Sequence, residues 1–169
     1  MAHREDPKGF VLIEVLVYIA IFGLILAAAV ALVSFTNRAR AKQTVEREVE
    51  EQGRQVLEQM LYTARNSTGI SSPADGAIGT SLSLGVDSSA ASPTVFALVG
   101  SAINITEGSS SAVSLTNTKV IASALSVENL TRTGTAGSVG VSFTLSGTMT
   151  SGSTPFIYSQ TFYGAASLR

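Results

Sequence analysis

Gly9-Phe10-Val11-Leu12-Ile13-Glu14 opens an apolar run that lasts to Phe35 and carries one charge, Glu14. From Val15 to Val33 nineteen successive residues are uncharged, which meets the roughly 18 residues needed to cross ~30 Å of hydrocarbon. The run predicts a membrane-spanning helix. Everything after it reads as a domain carried outside the membrane.

Working outward, residues 1–9 are polar: Arg4 and Lys8 are set against Glu5 and Asp6, and Pro7 stops any helix before Lys8. A charged head before an apolar run also opens a secretory signal peptide. This run is too long for the ~7–15 apolar residues of such a peptide, although Ala27-Ala28-Ala29 and Ala31 keep that alternative open. An acid within a spanning helix costs ~3 kcal/mol near the bilayer centre and less near the helix start. The positive end of the helix dipole returns ~0.5 kcal/mol of it. Glu14 is therefore either an interfacial residue or a functional one. Gly23 would cost a soluble helix ~1 kcal/mol, but within a bilayer it permits close helix approach.

The order of residues Lys8-Gly9-Phe10-Val11-Leu12-Ile13-Glu14, followed by Val15-Leu16-Val17-Tyr18-Ile19-Ala20-Ile21-Phe22-Gly23, resembles the prepilin N-terminus of bacterial type IV pilins and type II secretion pseudopilins. The resemblance implies that a prepilin peptidase recognises the leader through Lys8 and cuts between Gly9 and Phe10. It implies methylation of the new Phe10 amine, and a Glu14 carboxylate that serves assembly as counter-charge to an α-amine, its own or a neighbouring subunit's. In low dielectric an unpaired member of such a pair is penalised, so the pair sets register between helices. The implied partners are other pilin subunits, the prepilin peptidase, the pilus assembly platform and the inner membrane. The implied course is from membrane-anchored precursor to cell-surface filament. The basic residues Arg4 and Lys8 before the span and Arg38, Arg40 and Lys42 after it do not choose an orientation; the resemblance places the leader in the cytoplasm. Pilins often carry a helix-breaking glycine near Gly23 and a proline eight residues on. Ala31 stands where that proline would fall, which bears on whether the helix melts in a filament.

Residues 37–66 place Val45, Val49, Val56, Leu57, Met60 and Leu61 three, four and seven apart, the period of an amphipathic helix. Glu50 with Arg54 and Arg47 with Glu51 are spaced for ion pairs worth ~0.3 kcal/mol each, and Gly53 is the weak point. With no proline between the two segments, the expectation is a nearly continuous helix from about Phe10 to Ala64. A coiled-coil dimer is the runner-up, disfavoured because clean heptads are too few.

Beyond Asn66 charges thin to Asp75, Asp87, Glu107 and Glu128 against Lys119, Arg132 and Arg169, and hydroxyl residues dominate. Runs rich in β-formers occupy residues 81–86, 94–99, 102–106, 112–115, 119–130, 139–149 and 156–163, and Val139, Val141, Phe143 and Leu145 form the clearest period-two face. Turn material is read at 72–76, 88–93, 107–111, 134–137 and 147–155. The fold class is therefore α+β, a long N-terminal helix packed against a C-terminal antiparallel sheet. The division is leader 1–9, transmembrane or filament-core helix 10–35, amphipathic helix 36–66 and Ser/Thr-rich β-domain 67–169.

Composition narrows the function. There is no cysteine, and the one histidine, His3, lies in the leader. Beyond that leader there is no thiol nucleophile, thiolate metal site or imidazole base, so the reading is not an enzyme, with no cofactor and no metal. A net charge of -1 gives no global basic field for nucleic acid, and Lys119 and Arg132 make a weak local stripe. Asn66-Ser67-Thr68, Asn104-Ile105-Thr106 and Asn129-Leu130-Thr131 match the glycosylation sequon but are read as chance matches. The expected function is a structural subunit of a pilus-like filament. The missing cysteine removes the disulfide-closed loop of many major pilins, so a minor pilin is favoured. The alternatives are a membrane-tethered binding or adhesion module and a secretion pseudopilin.

Overall fold

A computed structural model describes residues 8–132, 134, 137–151 and 154–169, and forms two compact units, one up to Arg40 and one over Ala41–Arg169. Helix α1 spans Lys8–Arg65. It then yields to nine strands: β1 Ser67–Ser72, β2 Ile78–Gly79, β3 Ser81–Val86, β4 Thr94–Val99, β5 Ala102–Glu107, β6 Val113–Ser114, β7 Val120–Asn129, β8 Ser138–Ser151 and β9 Thr154–Ser167. The α+β reading holds. The strands, however, divide into two antiparallel sheets, ordered β1-β3-β4-β5-β6 and β2-β7-β8-β9, where one was expected.

The C-terminal end of α1 is closed by side chains. Asn66 donates from its backbone N and its Nδ2 to the Tyr62 carbonyl at 3.2 and 3.0 Å, and Ser67 Oγ donates to the Ala64 carbonyl at 2.7 Å. These bonds satisfy carbonyls that have no partner within the helix.

In the second unit one core joins the α1 face of Val45, Val49, Val56, Met60 and Ala64 to Leu82, Leu84, Phe96 and Ile103 of the first sheet and to Val127, Val139, Val141, Phe143 and Leu145 of the second. The period-two face of β8 is buried as its spacing predicts. Strand β7 changes parity: Val120 and Ala122 are buried in its first half, Leu125, Val127 and Asn129 in its second. A register shift between Ala122 and Ala124 accounts for the change, since one extra residue moves every following side chain to the other face.

Glycines set how closely α1 approaches the second sheet. A Cβ on Gly53 would lie 2.0, 2.2 and 2.5 Å from three ring atoms of Phe162. That ring also stacks on Phe143 at 5.4 Å between centroids. Gly147 faces Val45 and Val49, each 3.0 Å from where its Cβ would be, and Gly164 faces Leu57 and Leu61 at 2.8 and 2.9 Å. The residues read as turn material at 147–155 are thereby corrected in part. Strand β8 continues to Ser151 and Gly147 pairs with Tyr158, because this glycine serves close backbone approach and not a turn. Residues 152 and 153 lie outside the described residues.

Two strands lay outside the expected set. β1, Ser-Thr-Gly-Ile-Ser-Ser, has one aliphatic residue and forms an edge of its sheet; β2 has two residues. The ion pairs also differ. Lys42 meets Glu46 at 3.8 Å and Lys119 meets Glu48 at 3.3 Å, while among the described residues neither Glu50 with Arg54 nor Arg47 with Glu51 closes a bridge. Exposed pairs of this kind hold weakly against side-chain entropy.

Gly53→Ala should lower stability by about 1–3 kcal/mol through overpacking on Phe162, despite the ~1 kcal/mol that alanine gains in an exposed helix. Phe162→Leu in the same chain should recover part of the loss. A urea melt of the detergent-solubilised protein followed by circular dichroism reads this; an unchanged or raised midpoint for Gly53→Ala would show that the ring moves aside freely.

Candidate assembly surface on the N-terminal helix

Every residue from Leu12 to Phe35 is exposed, including Leu12, Leu24, Leu32 and Phe35 at about two-thirds or more of their surface. The segment is long and apolar enough to cross a membrane. Its backbone hydrogen bonds are internal to the helix, the condition a lipid environment imposes, and its side chains form no core of their own.

Lys8, Gly9 and Phe10 form the first turn of α1. Their side chains, and residues 1–7, read from the sequence as part of a leader, lie outside the described residues. Glu14 projects from the next turn and accepts a hydrogen bond from Tyr18 Oη to its Oε1 at 3.1 Å. That partner was missed in the sequence reading, though the spacing of four residues on one helix face is the signal that would have found it. Gly23 continues the helix, and no atom lies within 4 Å of the place its Cβ would take. The helix is equally unbroken through Ala31. Just beyond, Lys42 sits 5.7 Å over the ring of Phe156.

A second polar cluster ties α1 to the segment between β6 and β7. Asn117 donates from its Nδ2 to Glu48 Oε1 and from its backbone N to Gln52 Oε1 at 3.2 Å, and Lys119 bonds the other Glu48 oxygen. Lys119 of the suggested cationic stripe is thus engaged with a carboxylate. A groove of about 300 Å³ beside this cluster is lined by Val45, Glu48, Lys119, Ile121 and Gly147 among others, and its acid and base are bonded to each other.

The remaining sequence candidates do not converge. Among the described residues no group of three or more His, Asp or Glu side chains could hold a metal ion. Asp75 instead accepts from Asn129 Nδ2 at 3.2 Å. Asn129 is 1% exposed, donates to the Pro73 carbonyl at 2.8 Å and accepts from the Thr131 backbone N at 3.0 Å. Of the three sequon asparagines, Asn66 is a helix cap, Asn104 lies within β5 and Asn129 pins the loop before β2 to the end of β7. No family model, no curated protein and no solved structure matches this chain.

Asn129→Ala should cost about 2 kcal/mol or more, because it leaves the Pro73 carbonyl and the Thr131 amide without their partner. Asn66→Ala should cost about 1 kcal/mol or less at its exposed cap. Paired urea melts would check the ranking, which equal losses would overturn.

Proposed function

We propose that the chain is a structural subunit of a type IV pilus-like filament, made as a membrane-anchored precursor and assembled through its N-terminal helix. The observation that carries the reading is the Leu12–Phe35 surface: a helix apolar on every side, interrupted by one acid at the fifth residue after the proposed cleavage point. A permanent anchor needs the apolar surface but has no use for Glu14. A filament core uses both, since packed copies bury the apolar side chains against one another and a carboxylate near the end of each helix can meet a neighbour's free amine.

On this reading a prepilin peptidase cuts after Gly9, the Phe10 amine is methylated, and the precursor waits in the inner membrane until the assembly platform moves it into a surface filament. The chain itself performs no chemistry. Its β-domain, with few charges and many hydroxyls, forms the outward part. The absence of cysteine favours a minor pilin. The second reading, a tethered binding module whose anchor never leaves the bilayer, draws on the same exposed helix but gives Glu14 no partner beyond Tyr18.

Mass spectrometry of the mature chain in its producing cell should show an N-terminus at Phe10, with a methyl group on the amine. An intact Met1 or a cut elsewhere would remove the filament reading. Glu14→Ala should leave membrane insertion unchanged and reduce filament incorporation at least tenfold, the scale set by losing a partner from a poorly solvated charge pair; equal incorporation would show that the carboxylate is not used.

A further inference from the structure

Between Phe10 and Val33 the sequence contains two side chains able to form a hydrogen bond, Glu14 and Tyr18. The helix brings these two together, with the Tyr18 hydroxyl donating to Glu14 Oε1 at 3.1 Å. The other positions one helical turn from Glu14 are Phe10, Val11 and Val17, none of which carries a side-chain donor. We infer that Tyr18 is the positioning residue for Glu14: it satisfies one carboxylate oxygen while the helix is in the bilayer and holds the other toward an incoming amine.

The inference rests on the proposal that this segment lies in a membrane and later meets a partner's α-amine. In hydrocarbon no water replaces a missing donor, so a carboxylate is penalised unless a neighbouring group bonds it. Backbone N–H groups deeper in the helix are already committed to carbonyls. The phenol fits the need, being amphipathic and presenting an apolar ring to lipid with one donor at its tip. A carboxylate has two oxygens and about four lone-pair sites, so Tyr18 on Oε1 does not exclude an ammonium on Oε2. The bond also restricts the rotamer of Glu14, so the ordering cost of docking is partly met before the partner arrives. Tyr18 is thus compatible with the assembled pair as well as with the waiting precursor.

The test uses the full chain. In phospholipid vesicles, ultraviolet resonance Raman spectra report whether a tyrosine hydroxyl donates a hydrogen bond, and the difference between wild type and Tyr18→Phe isolates Tyr18 from the other three tyrosines. A strong donor signature is expected in that difference, and its loss in Glu14→Ala. A signature unchanged by Glu14→Ala would overturn the inference. In cells, Tyr18→Phe removes only a hydroxyl and should leave insertion and the cut before Phe10 intact, while lowering incorporation about tenfold in competition with wild type. Incorporation equal to wild type would overturn the positioning role. If the wild-type chain enters no filament, the proposed function fails, and the vesicle spectra alone decide whether Tyr18 holds Glu14.

Discussion

The packing of one face of α1 onto β8 and β9 is the contact on which the β-domain depends. Val45, Val49, Val56, Met60 and Ala64 supply the apolar stripe, but the closeness of the contact comes from glycine. Gly53 makes room on the helix for the Phe162 ring; Gly147 and Gly164 make room on the strands for Val45, Val49, Leu57 and Leu61. Each exchange replaces a Cβ with a neighbour's side chain and keeps interior density high. The first sheet joins the same core through Leu82, Leu84, Phe96 and Ile103. Glu48 and Gln52 add a polar tie by accepting from Asn117 next to this apolar contact.

The N-terminal unit meets the opposite constraint. From Leu12 to Phe35 none of the described residues covers the apolar side chains, and a surface of that kind marks a lipid or protein contact. Lipid and neighbouring helices satisfy it equally well, so under the proposed function the same residues serve first as anchor and then as filament core. Glu14 breaks that equivalence. Hydrocarbon offers it no donor, whereas under the proposed function a neighbour's free amine does. Tyr18 supplies a donor from within the helix in either setting.

Much of the fold was legible because it follows simple periods. The helix was read from a spacing of three and four, and β3 and β4 from runs of β-formers bounded by turns; both strands fall at the expected residues. The misreadings share a physical cause, since the deciding partner lay far away in sequence. Gly53 resembles a defect until Phe162 is placed against it, and Gly147 resembles a turn until Val45 and Val49 pass over it. β1 has too little apolar character to announce itself because it is an edge strand. Division into two sheets depends on which strands pair, a long-range choice that local pattern does not encode. On the candidate surface the resemblance at Lys8 to Glu14 rests on the sequence alone. The Tyr18 bond follows from a spacing of four residues on one helix face.

The central claim is that the apolar segment of α1 leaves the bilayer for a protein-lined core. Because the chain has no cysteine, an Ile25→Cys variant carries one thiol, in the middle of that segment. The measurement is the location and accessibility of that thiol after shearing the cell surface. The account predicts that the variant is recovered in sheared, lipid-free filaments with its thiol shielded from a water-soluble reagent until the filaments are dissociated. Recovery of all the protein in the membrane fraction, with none in sheared material, would contradict it.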